Sequence, residues 1–308
     1  MDFYFSSVTT DMFNFLCEHH CCVLLSQLND RSILRTFTEN LKKMNSNPIK
    51  IFVDSGAFSA WTLGTKIDVD DYIDLINNNK DYIEVAASVD CIPGLPHSTT
   101  VATHEEVVKS CEDTWNNFLY MRSKMDDVNK LLYTFHVGEP WKFLKQALEY
   151  EDKHGKLTYI ALGGLVGKNS KLIYNFIKQA TQIIKESNNP NVRVHIFGVT
   201  NLKTLRSFKI TSADSTTWVK GAAYGNLYIN GQIVNVSNET KLSDKNVFNK
   251  NLALQEVTLN TIKEYGFELE KLQEDYKERR KFNIIDTLKW CKNHEYKETV
   301  KKEKISLF

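Results

Sequence analysis

Short apolar runs that stop at a polar or glycine residue recur along the chain, and longer stretches with helical spacing separate them. The runs cover residues 21–26 (CCVLLS), 49–53, 82–89, 131–135, 158–162, 193–197, 210–213 and 224–229. The six runs from 49–53 to 210–213 are followed in turn by Asp54-Ser55-Gly56, Asp90, His136, Gly163-Gly164, Gly198 and Asp214. Amphipathic stretches at 69–77, 104–124, 141–154, 170–187 and 202–208 lie between them. Strands alternating with helices predict right-handed crossovers and a parallel sheet. About eight such units predict an α/β fold of the closed (β/α)8 TIM type, with a doubly wound open sheet as the alternative.

In a parallel barrel the C-terminal ends of the strands converge on one face, where substrates bind. That expectation gathers Asp54, Asp90, His136, Gly163, Gly164 and Asp214 at one mouth, despite their wide separation in sequence. The competing reading is that each merely ends a strand, because Asp and Gly are common turn residues.

Beyond Gly231 the pattern changes. Residues 236–250 are rich in Asn, Ser and Lys and read as a loop, and 251–265 and 269–293 read as helices. Arg279, Arg280 and Lys281 lie in a run of mixed charge, either a solvated helix face or a contact for phosphates. Residues 297–308 read as a frayed tail. The expected organisation is a barrel over 1–235 with a helical C-terminal extension, 236–308, packed on it.

Composition narrows this picture a little. A chain of 308 residues can build one sizeable core, and 42% hydrophobic with 25% charged residues is an ordinary globular balance. A formal net charge of +1 is not that of a strongly basic nucleic-acid binder, though it leaves room for a local basic patch. Cys17, Cys21 and Cys22 stand beside His19 and His20, which allows a metal reading. The competing reading is small buried hydrophobes leading into a strand. Six cysteines without a C-x-x-C spacing fit a reducing cytoplasm. No signal peptide is evident and the apolar runs are too short to span a bilayer, so a soluble, cytoplasmic protein is expected.

The segment IFVDSGAFSAW (51–61) carries the sharpest motif. It resembles the D-S-G-G-F-Q segment of tRNA-guanine transglycosylases. It resembles still more closely the D-S-G-A-F-S form of phage and bacterial relatives that exchange guanine in DNA for 7-deazaguanines. Further matches follow in the same order: SVDCIPG (88–94), FHVGEP (135–140), IALGGLVG (160–167), HIFGVT (195–200) and SADSTTW (212–218). Together they cover roughly residues 23–228 of the chain. The chain departs from the tRNA enzymes in having no C-x-C-x-x-C zinc segment after Asp214, where the next cysteine is Cys291. That departure favours the DNA branch and implies neither a structural zinc nor any cofactor. It also departs in having His136 where the family has Gln.

What the resemblance implies is base exchange at C1′ through a covalent intermediate. The transition state resembles an oxocarbenium ion, and two displacements retain the anomeric configuration. Asp214 falls on the family's nucleophile, and Asp54 is the candidate proton shuttle. Asp90 matches the carboxylate that accepts hydrogen bonds from guanine N1–H and the N2 amino group. Gly164 and Leu165 would offer backbone N–H groups to O6, with Gly163, Ser55 and His136 alongside as substrate-binding residues. Phe58 and Trp61 either sandwich the base or pack in the core. The implied partners are DNA, single-stranded or with a flipped-out guanine, and a free 7-deazaguanine such as preQ0, inside a bacterial or phage-infected cell. Lys168, Lys171, Lys203, Arg206 and Lys220 follow strand ends and are candidate phosphate contacts. Three alternatives stay open: an RNA transglycosylase, a barrel lyase acting on a phosphorylated metabolite, and a catalytically dead nucleic-acid-binding barrel.

Overall fold

The computed structural model describes residues 1–96, 101–199, 201–237, 252–293 and 296, apart from the side chains of 203, 252 and 253. Eight parallel strands close into a barrel: β1 (Asp2–Ser6), β2 (Cys22–Ser26), β3 (Lys50–Asp54), β4 (Ile83–Ala87), β5 (Leu131–His136), β8 (Tyr159–Gly163), β9 (Arg193–Ile196) and β10 (Ser212–Ser215). β1 pairs with both β2 and β10, which closes the ring. The expected TIM-type architecture is therefore the observed one. The intervening numbers, β6 (Glu151–Asp152) and β7 (Gly155–Lys156), form a small antiparallel hairpin outside the ring.

Each strand is apolar on both faces because both are covered. Outward residues such as Phe3, Phe5, Val23, Ile51, Val53, Tyr133, Phe135, Ile160 and Leu162 pack against the helices in the main core. Inward residues form a second, smaller cluster: Tyr4, Cys22, Leu24, Phe52, Val85, Ala87, Leu132, Tyr159 and Ala161. Side chains alternate along a strand with period two. The next inward positions toward the C-terminal ends are therefore Ser6, Ser26, Asp54, Thr134, Gly163 and Asp214, with His136 one step beyond Thr134. The floor of the mouth is thus the barrel core continued by one more layer, with apolar residues exchanged for polar ones.

Several expectations need correction. Residues 224–229 are not a barrel strand. Asn226–Ile229 (β11) pairs antiparallel with Gln232–Asn235 (β12) in a separate hairpin. Its turn is Asn230-Gly231, both at positive φ, the residue pair that two-residue hairpins favour. The missing eighth strand is β1, at the N-terminus. The helix Arg31–Met44 was also passed over, although Leu34, Phe37, Thr38 and Leu41 are spaced to bury one of its faces. The expected helix 141–154 stops at Glu149, where the β6–β7 hairpin takes over. The buried Arg122 holds Asp152 of that hairpin through two hydrogen bonds of 2.8 and 2.9 Å.

C-terminal helices Leu252–Glu264, Leu269–Glu274 and Tyr276–Asn293 pack with the β11–β12 hairpin in a third apolar cluster. Arg279 and Arg280 are buried and serve neither as a solvated face nor as phosphate contacts. Arg279 donates to the carbonyls of Ala222, Leu272 and Gln273. Arg280 donates to Thr9 and Asp11, which ties the last helix to the segment after β1. Lys281 pairs with Glu278 on its own helix. The expected loop lies outside the described residues from 238 on, as does the tail from 297. No described helix is long and apolar enough to cross a membrane.

Candidate active site

Asp54 is the last residue of β3, and its Oδ2 accepts a hydrogen bond of 3.0 Å from the Gly56 N–H. Burial raises its pKa, and so do the charges of Asp90 and Asp214. The Gly56 N–H opposes them, and the balance lies at about 7. A carboxyl group poised near neutral pH can both give and take a proton. Beneath it the buried Tyr72 hydroxyl donates to the carbonyls of Val53 and Ala87, each at 3.0 Å, and clamps β3 to β4.

Asp90 sits in the loop after β4. The helix His104–Lys124 pins that loop, with Asn117 donating to the Val89 carbonyl and Thr114 accepting from the Cys91 N–H. Ser55, fully buried, donates to Asp90 Oδ1 at 3.2 Å. His136 Nε2 lies 2.9 Å from Asp90 Oδ2, and its Nδ1 lies 2.9 Å from Glu139 Oε1. Glu139 is brought back to the ring by a turn in which its N–H donates to the His136 carbonyl. Burial by itself would lower the His136 pKa. The hydrogen bonds and charges of Asp90 and Glu139 outweigh it and raise the value to about 10. Burial likewise pushes Asp90 up, and its hydrogen bond to His136 with the imidazolium charge overcomes this, leaving it below its usual value. The ring lies flat against β8 because residue 163 is glycine: a Cβ there would sit 2.8 Å from His136 Cδ2.

Asp214 points inward from β10 and is 7% exposed. Its Oδ2 accepts from Ser6 Oγ at 2.9 Å. Its Oδ1 accepts from the Gly198 N–H at 2.9 Å and faces His195 Nε2 at 3.3 Å. Gly198 is at φ +66°, and a Cβ there would come within 2.5 Å of Val166 Cγ2, so only glycine brings this N–H to the carboxylate.

The barrel therefore joins Asp54, Asp90 and Asp214 in one acidic mouth, with Ser55, His136 and Gly163. Leu165 is buried just below the Gly164 turn. Phe58 is 68% exposed on the short helix Ala57–Leu63 and does not belong to the core. Its ring is 6.0 Å from that of Trp61, whose Nε1 donates to the Gly94 carbonyl. Leu95 and Val166 are also exposed. Lys168, Lys171, Arg206 and Lys220 are exposed on segments that follow β8, β9 and β10, while the Lys203 side chain lies outside the described ones. Cys17, Cys21 and Cys22 are buried free thiols. Among the described residues no group of His, Cys, Asp and Glu is arranged to hold a metal ion. A hollow of about 590 Å³ beside Glu139 and Lys171, and another of about 340 Å³ beside Phe3 and Trp290, both miss the three carboxylates.

Ser6, Glu139, His195 and the Gly198 N–H were not singled out from the sequence as site groups. Glu139 and His195 lay within motifs already noted, and their polarity beside an apolar strand was a usable signal. Ser6 had none, because its strand was not recognised.

The fold and this mouth define a closed parallel α/β barrel with three carboxylates at the C-terminal ends of its strands. The chain matches no protein-family model, and no curated protein matches it at a significant level.

Proposed function

We propose that the chain is a base-exchange enzyme of the guanine transglycosylase type, replacing guanine in DNA with a 7-deazaguanine. The observation that carries this reading is the meeting of Asp54, near neutrality in its proton affinity, with the inward-pointing Asp214 in one mouth. An oxygen of Asp214 bonds to C1′ as the C1′–N9 bond breaks, and the departing base takes the bonding pair and a proton from Asp54. The incoming base then loses its N9 proton to Asp54. Its nitrogen bonds to C1′, and the ester opens to restore Asp214. Asp90, ionised against His136, accepts from N1–H and the N2 amino group. The exposed Phe58 and Trp61 offer faces for stacking, and Lys168, Arg206 and Lys220 offer charge to the backbone phosphates.

The ordered motifs from residue 51 to 218 support the assignment to this superfamily. The lack of a C-x-C-x-x-C segment after Asp214 supports DNA over tRNA. The test is incorporation of labelled guanine or 7-deazaguanine into single-stranded DNA, duplex DNA and tRNA by the purified chain. Exchange into DNA is expected. Exchange into tRNA alone selects the RNA reading, and exchange into neither selects a binding barrel.

A further inference from the structure

Behind Asp214 runs a chain of polar groups that the double displacement does not itself require. His195 is fully buried on β9, among the rings of Phe197, Phe52 and Tyr4 at centroid distances of 4.5, 4.8 and 6.1 Å. Its Nε2 faces Asp214 Oδ1 at 3.3 Å. Its Nδ1 lies 2.6 Å from Ser212 Oγ, and that oxygen lies 2.5 Å from the Tyr159 hydroxyl. Ser212 and Tyr159 are buried as well, so the groups in this line must satisfy one another.

For a ring that carries a single proton, one direction of donation suits all four groups. If Nδ1 carried the proton, Nε2 would turn a bare lone pair to the carboxylate. If instead Tyr159 donates to Ser212 and Ser212 donates to Nδ1, the proton sits on Nε2 and points at Asp214. Burial raises the Tyr159 pKa to about 12, so the phenol is present as a donor. Asp214 Oδ1 then holds two donors, Gly198 N–H and His195 Nε2–H, whereas among the described residues Oδ2 accepts from the Ser6 hydroxyl alone.

We infer that His195 is a positioning residue, held in its Nε2–H tautomer by Ser212 and Tyr159, which anchors Asp214 Oδ1 and leaves Oδ2 as the attacking oxygen. The attacking role rests on the base-exchange reading above. The tautomer and the anchoring do not. In the displacement, the Oδ2–C1′ bond forms while C1′–N9 breaks, and the His195 proton stays on Nε2 throughout.

Nitrogen NMR of the full chain labelled with 15N-histidine tests the arrangement without any assay of turnover. His195 should show a protonated Nε2 and a bare Nδ1, with its signals assigned by their loss in His195→Phe or their shift in Ser212→Ala. Ser212→Ala should mix the two tautomers. A protonated Nδ1, whether Nε2 is bare or protonated, or free tautomer exchange in the wild type, overturns the inference. The kinetic arm follows trapped covalent intermediate. His195→Phe should slow its formation about 100-fold, the effect expected of a displaced reacting group, with KM for DNA unchanged. His195→Gln, which restores a side-chain N–H, should recover part of the rate. An unchanged rate in a folded His195→Phe removes the positioning role. Exchange that survives in Asp214→Ala would instead remove Asp214 as the nucleophile, no exchange by the wild type would remove the base-exchange reading, and in both cases the NMR result would still decide how His195 is held.

Discussion

The two poles of the mouth hold their carboxylates by different means. At β10, Asp214 is surrounded by a hydroxyl, a backbone N–H and an imidazole whose other nitrogen meets Ser212. Across the mouth, Asp90 is paired with His136, and a second carboxylate, Glu139, backs the ring. An imidazole between two carboxylates keeps its proton, so Asp90 faces a fixed positive charge and stays ionised. The difference suits two tasks. A group that must form and break a covalent bond is oriented by several separate donors, one of them a backbone N–H. A group that must only recognise donors can be locked in place. Asp54 lies within the electrostatic reach of both, and their charges are among the causes that keep its proton on until about neutral pH.

The sharpest way to break this comparison is to remove each carboxylate in turn. Asp214→Ala is expected to lower exchange by about 10⁴-fold or more and to abolish the covalent adduct, while circular dichroism still reports the barrel. A trapped adduct through another residue would falsify the assignment of Asp214. Asp54→Asn comes next, with exchange slowed by about 10²–10⁴-fold and free-base binding kept. In the wild type, release of guanine should fall as pH rises through about 7, because Asp54 must enter that step protonated. The second half-reaction should show the opposite slope. Single-turnover rates across pH 5–9 separate the two, and a flat profile in both would assign the proton to another group.

Asp90→Ala should act on recognition instead of on covalent chemistry. An unpaired buried polar group costs about 1–3 kcal/mol, so free guanine or 7-deazaguanine should bind about 10- to 100-fold more weakly. Calorimetric titration together with a melting curve decides the point. Unchanged base affinity in a destabilised variant would leave Asp90 as scaffold.

The smallest effect concerns stability. His136 is raised from 6.5 to about 10, so its contribution is complete below pH 6.5 and is lost as pH rises through 10. Asp90 is lowered, so its part persists down to the acid range. Melting of His136→Gln should therefore fall below wild type at pH 6 and converge with it above pH 10. A constant offset across that range would show that the ring acts by packing alone.

Seven of the eight barrel strands were legible as apolar runs, and so were the polar residues at their ends. A strand covered on both faces must be apolar throughout, and that pattern needs no knowledge of its neighbours. Asp54, Asp90 and Asp214 stood out because charge after such a run is conspicuous. The misreadings had local causes. DFYFS is a short run with no Asp, His or Gly to mark its end, and 224–229 has the apolar composition of a barrel strand, whereas the Asn230-Gly231 turn makes it one arm of a hairpin. The mixed charges at 277–281 concealed two buried arginines, because a charge pattern does not say which side chains find carbonyls inside the fold.

The alternation of elements, hence the parallel barrel and the end of it at which polar residues gather, is written in local runs of the chain. Only the tertiary structure decided which groups touch. Ser6 reaches Asp214 across 208 residues because β1 closes the ring against β10. His195 lies behind Asp214, and His136 between Asp90 and Glu139, because register and the two-residue period turn those side chains inward. Closure and register are non-local, and no stretch of sequence carries them alone.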